Sequence, residues 1–166
     1  VNRGEADVSI TSIKANPFVE IHYSNITILS HLIGLYNASN LYAAITIGTY
    51  FEVEALSIKE ALESYIPENN RSQLLTKGSN DIILDAYNAN PSSMTVAIEN
   101  FIQIQGLNKI MILGDMFELG SESKKEHQQI VDSLLKVKSV QCFFIGTMFY
   151  SSRVSNPQFQ FYESFD

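Results

Sequence analysis

The sequence predicts an α/β protein: a short β-meander and two helices lead into a mostly parallel sheet flanked by helices. Three observations carry this expectation. Closely spaced segments near the N-terminus alternate polar and apolar residues, as strands with one buried face do. Further on, strand-like runs of nearly continuous apolar residues appear, which a parallel sheet buried on both faces requires. Between those runs lie segments of helical character, and strand–helix alternation builds βαβ units.

The elements follow in order. Asp7 to Ile13, Phe18 to Tyr23 and Ile26 to Leu32 read as strands, punctuated by Asn16-Pro17 and Ser24-Asn25. Gly34 ends this pattern. From Asn37 to about Gly48 the residues are helical in character, with Leu41, Ala44, Ile45 and Gly48 on one face, where the small residues allow close packing. A second helix is expected over Ser57 to Tyr65, opened by a capping box of Ser57 and Glu60. Pro67 to Arg71 is polar and contains a proline, so it marks the boundary between residues 1–66 and residues 67–166. Strands are then expected over Leu74 to Lys77, Asp81 to Ala86, Lys109 to Leu113 and Val140 to Ile145, with helices over Ser92 to Gln105 and Ser123 to Val137.

Composition narrows the function. The chain has 166 residues, 45% hydrophobic and 17% charged, which describes a globular chain with a core. Its net charge of −7 and its lack of a Lys/Arg cluster argue against a nucleic-acid partner. Cys142, in Val-Gln-Cys-Phe-Phe-Ile, is the single cysteine, so no disulfide framework or cysteine-rich metal site forms within the chain; an apolar strand is its expected home. No apolar run approaches the roughly 20 residues of a membrane span, and Val-Asn-Arg-Gly-Glu-Ala-Asp is no signal-peptide core. A cytoplasmic protein with no membrane partner is the expectation. The absence of an initial Met and the abrupt end at Tyr-Glu-Ser-Phe-Asp suggest a piece of a longer chain.

Three segments concentrate chemistry at strand ends, where ligands gather in open α/β sheets. In Asp85-Ala-Tyr87-Asn88-Ala-Asn90-Pro91-Ser-Ser-Met94 an apolar strand runs into a carboxylate, then into two asparagines and a proline. A strand-end Asp can accept two hydroxyls, as a ribose offers, and Asn supplies both a donor and an acceptor. The same residues could instead form an Asx turn, with Ser92 capping the helix. In Leu113-Gly-Asp115-Met-Phe-Glu118-Leu-Gly120 a second strand ends in Gly-Asp before a compact loop, with His127 on the next helix. A lone helix histidine is commonly a satisfied or surface residue. In Gly34-Leu-Tyr36-Asn37-Ala-Ser-Asn40 two asparagines three apart share one face of a helix start and could pair with an adenine edge, or Asn37 could be an N-cap.

Taken together, these segments resemble the Mur ligase family. Asp-Ala-Tyr-Asn-Ala-Asn-Pro-Ser-Ser-Met resembles the D-x-Y-N-A-N-P-x-S-M signature of its D-alanyl-D-alanine-adding members. Leu-Gly-Asp-Met-Phe-Glu-Leu-Gly with His127 resembles their L-G-D-M-x-E-L-G…H segment. Gly34 to Ala44 resembles the G-x-H-N-x-x-N-x-x-A-A stretch closing the central domain, with Tyr36 where the family has His, a change that weakens any polar role there. The resemblance implies a Rossmann-like C-terminal domain, truncated after Asp166, preceded by the meander and helices that end the central ATP-binding domain. It implies ATP contacts for Asn37, Asn40, Arg71 and Asp85, with Asp85 on the ribose. Tyr87, Asn88, Asn90 and Pro91 would shape the junction with the dipeptide, and Asp115, Glu118 and His127 would line the neighbouring loop.

By the same resemblance the reaction is ATP-dependent addition of D-alanyl-D-alanine to UDP-N-acetylmuramoyl-tripeptide in peptidoglycan synthesis. No G-x-x-x-x-G-K-[ST] phosphate loop occurs in the 166 residues. That loop and most Mg²⁺ ligands belong to upstream domains of the family, so no catalytic residue is expected here and the chain alone is expected to be inactive. Other Mur ligases and folylpolyglutamate synthases, which carry Tyr-Ala-His after the strand-end Asp, are the rivals within the class. A non-catalytic Rossmann-like binding module is the rival outside it.

Overall fold

The computed structural model describes residues 8–68 and 70–165. Asp7, expected to open the first strand, and Asn69, in the expected linker, lie outside the described residues. The chain divides into two compact units, one ending at Tyr87 and one starting at Asn88.

In the first unit, β1 (Ile10–Ala15), β2 (Phe18–Tyr23) and β3 (Ile26–Ile33) form an antiparallel sheet in the order β1-β2-β3. Ser24 and Asn25 both take positive φ, 48° and 62°, so the β2–β3 connection is a two-residue hairpin turn of the kind that matches strand twist. The alternation in β2 is realised: Val19, Ile21 and Tyr23 point into the core, joined by Ile28 of β3. A 3-10 turn (Leu35–Asn37) leads into α1 (Ala38–Tyr50), whose Ala38, Leu41 and Ile45 complete that core. Ala44, expected on the same face, is exposed.

Helix α2 (Ala55–Ser64) starts two residues earlier than the sequence suggests. Glu54 is its cap, without a side-chain bond, and Ser57 sits inside the first turn, so the expected Ser57/Glu60 capping box does not form. Packing sets the position instead. Ile58 is buried against α1 so closely that a Cβ on Gly48 would lie 2.9 Å from its Cδ1. The same helix covers the free edge of β3. Glu63 Oε1 accepts the Leu29 amide at 2.8 Å, and Lys59 Nζ donates to the Thr27 carbonyl at 2.7 Å and to Glu63. Capping edge groups in this way protects a strand from stray pairing.

Strands β4 (Gln73–Lys77) and β5 (Asn80–Leu84) were expected to join the parallel sheet. They form an antiparallel two-stranded sheet of their own, paired from Gln73↔Leu84 to Lys77↔Asn80. The two-residue Gly78-Ser79 connection dictates this, because parallel pairing needs a crossover of a dozen or more residues. Gly78, at φ 64°, supplies the left-handed residue of the turn.

The second unit follows the strand–helix alternation. α3 (Pro91–Gln103), β6 (Lys109–Gly114), α4 (Ser123–Leu134), β7 (Val140–Ile145), α5 (Thr147–Ser151) and β8 (Phe159–Tyr162) alternate along the chain. The sheet is parallel in the order β6-β7-β8, with Lys109↔Val140 and Cys142↔Phe159 opening the two ladders. Met94 and Ile98 of α3, Ile130, Val131 and Leu134 of α4, and Phe149 of α5 pack with Met111, Cys142, Phe144 and Phe159. Phe144 stacks on Phe161 at 4.6 Å between centroids, a 10° tilt. Cys142 is buried as expected, and desolvation pushes its thiol up to about 11. Helix α5 and strand β8 are too short to show a period in the sequence.

Candidate functional site

The first unit gathers Tyr36, Asn37, Asn40, Arg71, Asp85 and Tyr87 with a serine the sequence did not single out. Asn70 and Ser72 both take positive φ, 60° and 48°, which folds residues 70–72 into a tight turn. That turn lies against the chain leaving β5: the Asn70 carbonyl accepts from the Ala86 amide at 2.9 Å and the Tyr87 amide at 3.2 Å. Between the two left-handed residues Arg71 projects over the Tyr87 ring, with the guanidinium carbon 3.8 Å from the centroid. Such a cation–π contact at an exposed site is worth about 0.5–1 kcal/mol. It holds the guanidinium over a ring two residues past Asp85.

Asp85 is exposed, just past the end of β5. Ser72 grips its carboxylate twice: the Ser72 amide donates to Oδ1 at 3.2 Å and the Ser72 hydroxyl to Oδ2 at 3.5 Å. Each carboxylate oxygen accepts about two bonds, so each retains one for a further donor, a pattern that fits a vicinal diol. Ser72 Oγ also lies 2.7 Å from the Tyr36 hydroxyl. Tyr36 thus makes a polar contact, which by itself assigns it no role. Burial pushes its hydroxyl above the ordinary tyrosine value; the bond to Ser72 opposes this and the Asp85 charge adds to it, against a lesser pull from Asn37.

Asn37 is buried at the junction of the 3-10 turn and α1. It occupies the N-cap position without making a side-chain cap bond. Its Nδ2 donates back to the Ile33 carbonyl at 2.8 Å, while its Oδ1 accepts from Asn40 Nδ2 at 3.0 Å. The pair is thus pre-oriented, and exposed Asn40 keeps its carbonyl oxygen and second N–H beyond that bond.

The second unit holds the remaining candidates. Asn90 caps α3: its Oδ1 accepts the Ser93 amide at 2.9 Å, and Ser93 Oγ accepts the Asn90 amide at 3.2 Å. Pro91 follows at the first helical position, where its missing N–H costs nothing. The cap is Asn90 rather than Ser92, whose hydroxyl donates to Asn90 Oδ1 at 2.8 Å. Asn88 is exposed and precedes this motif.

Asp115, at the end of β6, accepts the Met148 and Phe149 amides, each at 2.9 Å, with one oxygen apiece. It therefore ties the β6 loop to the start of α5. Exposed Glu118 takes φ 64° in that loop, which Gly120 closes at φ 55°. His127 is fully buried. Its Nε2 accepts the Met116 amide at 3.0 Å, and its Nδ1 lies 2.6 Å from the Ser123 carbonyl. A carbonyl can only accept, so Nδ1 carries the proton and the ring is neutral. The 3.6 Å approach of Asp115 Oδ1 to Nε2 is then not an ion pair, since charging the ring would set a second N–H against that of Met116. Asp115 and His127 line the loop from within.

Two participants were not singled out from the sequence. Ser72 simply follows Arg71 and carries no signal of its own. Gly146 lies just past the end of β7, where a Cβ would meet the Asp115 carboxyl group, and a glycine at a strand end was the available clue. Among the described residues, no three His, Cys, Asp or Glu side chains group to hold a metal ion, and no helix is long and apolar enough to cross a membrane.

Comparison with known proteins accords with this architecture. The family model described as "Mur ligase, glutamate ligase domain" matches residues 70–157. A UDP-N-acetylmuramoyl-tripeptide–D-alanyl-D-alanine ligase of Buchnera aphidicola subsp. Baizongia pistaciae is 34% identical over 143 residues, 84% of this chain and 31% of that relative. The chain thus spans about a third of that relative's length. A crystal structure of MurF from Acinetobacter baumannii shares the fold, with a TM-score of 0.86 at 24% identity, covering 97% of this chain and 37% of that one. The MurF ligase of Thermotoga maritima, solved in complex with ADP, superposes with a TM-score of 0.69 at 17% identity, over 96% of this chain and 38% of that one. With the family model matched over just over half of its 166 residues, the chain belongs to the Mur ligase family.

Proposed function

We propose that this chain supplies the adenosine side of an ATP-dependent amide ligase of peptidoglycan precursor synthesis. That enzyme adds D-alanyl-D-alanine to UDP-N-acetylmuramoyl-tripeptide through an acyl phosphate. In this reading residues 1–66 end the central ATP-binding domain, and residues 67–166 belong to the C-terminal domain. The observation that carries the reading is the Asp85 carboxylate, exposed and held by Ser72 with one acceptor position left on each oxygen. Two hydroxyls of a ribose fit that pattern.

The other residues take roles around it. Arg71, stacked on Tyr87, supplies positive charge for the nucleotide. Asn40, braced by Asn37, offers an amide edge to adenine. Tyr87, Asn88, Asn90 and Pro91 border the dipeptide side, and Asp115, Glu118 and His127 shape the adjacent loop. Mg²⁺ would neutralise phosphate charge in such a transfer, and no residue of this chain is assigned to it. The Asp-Ala-Tyr-Asn-Ala-Asn-Pro segment supports D-alanyl-D-alanine over the amino-acid substrates of other Mur ligases and folylpolyglutamate synthases.

Phosphate release by the full-length ligase tests this. Release should require UDP-N-acetylmuramoyl-tripeptide and D-alanyl-D-alanine together, while the 166-residue chain alone stays at background. Release driven by a single amino acid would move the protein to another branch of the family. No release with any amine would favour a non-catalytic binding module.

A further inference from the structure

Tyr36, Ser72 and Asp85 form a hydrogen-bonded series whose direction follows from proton counting and acceptor strength. Ser72 Oγ stands 2.7 Å from the Tyr36 oxygen and 3.5 Å from Asp85 Oδ2. A serine hydroxyl has one proton, and the carboxylate can only accept. The charged carboxylate is a stronger acceptor than a phenol oxygen, so the Ser72 proton goes to Asp85 and Tyr36 donates to Ser72. Ser72 is only 5% exposed, so water has little access to replace either partner. Without Tyr36 the serine oxygen would lose its donor, and its proton would be free to turn away from the carboxylate. The backbone reinforces the arrangement, since the left-handed turn at Ser72 aims the amide of the same residue at the other carboxylate oxygen.

The series also joins two elements. Tyr36 lies in the 3-10 turn beside Asn37, whose side chain braces Asn40. Ser72 and Asp85 lie at the base of the β4–β5 hairpin. Tyr36 is thus the side chain through which the asparagine element contacts the carboxylate element by a hydrogen bond 36 residues long in sequence. Desolvation and the neighbouring Asp85 charge both favour its neutral, donating form, outweighing the opposing hydrogen bonds.

We propose that Tyr36 is a positioning residue that acts through Ser72 to orient Asp85 for the nucleotide's vicinal hydroxyls, and that it registers the Asn37–Asn40 element against them. This rests on the assignment of Asp85 to the ribose. The role belongs to the tyrosine hydroxyl.

The test uses the full-length ligase and compares apparent KM for ATP with that for 3′-deoxyATP. The KM for 3′-deoxyATP divided by that for ATP reads hydroxyl recognition and is indifferent to general loss of fold. Asp85→Asn should bring the ratio close to one. Tyr36→Phe should lower it about three- to tenfold, as expected for a weakened charge-assisted bond, with kcat changed less than about twofold. Ser72→Ala should match Tyr36→Phe, and the double variant should be no worse than Ser72→Ala alone, because both act on one bond series. If Tyr36→Phe melts early, Ser72→Ala and the ratio in the remaining folded enzyme still decide. An unchanged ratio in Tyr36→Phe or Ser72→Ala alongside a collapsed ratio in Asp85→Asn overturns the positioning role and leaves the ribose assignment standing. An unchanged ratio in Asp85→Asn overturns the ribose assignment and the inference together.

Discussion

The Asp115 carboxyl group occupies the space that a side chain on Gly146 would need: an ideal Cβ there would fall 2.2 Å from Asp115 Cγ. Gly146 also takes φ 128° and ψ 160°, a region open essentially to glycine alone. The two features serve one purpose, because Asp115 must reach across the end of β7 to the Met148 and Phe149 amides. Gly146→Ala should therefore cost about 3 kcal/mol or more, combining backbone strain of about 1–3 kcal/mol with displacement of Asp115. Gly114→Ala, with nothing within 4 Å of the new Cβ, should cost less than about 0.5 kcal/mol. Denaturant midpoints of the two variants check the contrast.

His127 bridges the Met116 amide and the Ser123 carbonyl and lies edge-on to Phe149 at 4.6 Å. His127→Ala should cost about 2–4 kcal/mol, from the lost ring volume and the orphaned amide. The dipeptide KM of the folded enzyme should stay close to wild type. A large KM change without a matching drop in melting temperature would put His127 in contact with substrate.

Asp85 and Asn90 should respond in opposite ways. Asp85→Asn should raise the apparent KM for ATP about tenfold or more, since each charge-assisted bond is worth about 1.5–3 kcal/mol, and should leave stability nearly unchanged. Asn90→Ala removes the side-chain half of the capping box on α3 and should cost about 1 kcal/mol of stability. Any rise in the dipeptide KM beyond that loss would add a substrate contact to its capping role. Steady-state kinetics beside thermal melts separate the two effects.

Glu63 predicts a pH dependence. Its carboxyl is held below the ordinary glutamate range, first by the hydrogen bond from Lys59, then by that from the Leu29 amide, against an opposing cost of burial. A carboxyl with a depressed folded pKa contributes stability above its unfolded value and loses it as pH falls through the folded one. Glu63→Gln should lower the melting temperature by about 2–4 °C at neutral pH, for about 1 kcal/mol in a chain of this size. As pH falls through the folded pKa, below the ordinary glutamate range, the gap between variant and wild type should shrink. A gap that persists unchanged into acid would remove the carboxylate from the explanation.

Much of the local order was legible in the residues themselves. The alternation in Phe18–Tyr23, the Ser24-Asn25 turn, the apolar Val140–Ile145 strand and the helix opening after Asn90-Pro91 all depend on neighbours within a few positions. Backbone sterics and side-chain periodicity encode such features directly. The resemblance pointed to Asp85 and Arg71, and composition left room for a buried Cys142. Tertiary structure decided what these residues touch. It paired β4 with β5 rather than with a parallel partner, moved the start of α2 to seat Ile58, and gave Tyr36 its hydrogen bond. It also turned His127 into a buried brace and set Asp115 against Gly146. Partners such as Tyr36 and Ser72, or Asp115 and Phe149, stand 36 and 34 residues apart. Which side chain meets which at that separation depends on how whole elements pack, and packing is fixed by the buried surface of the assembled unit. No local stretch of sequence carries it.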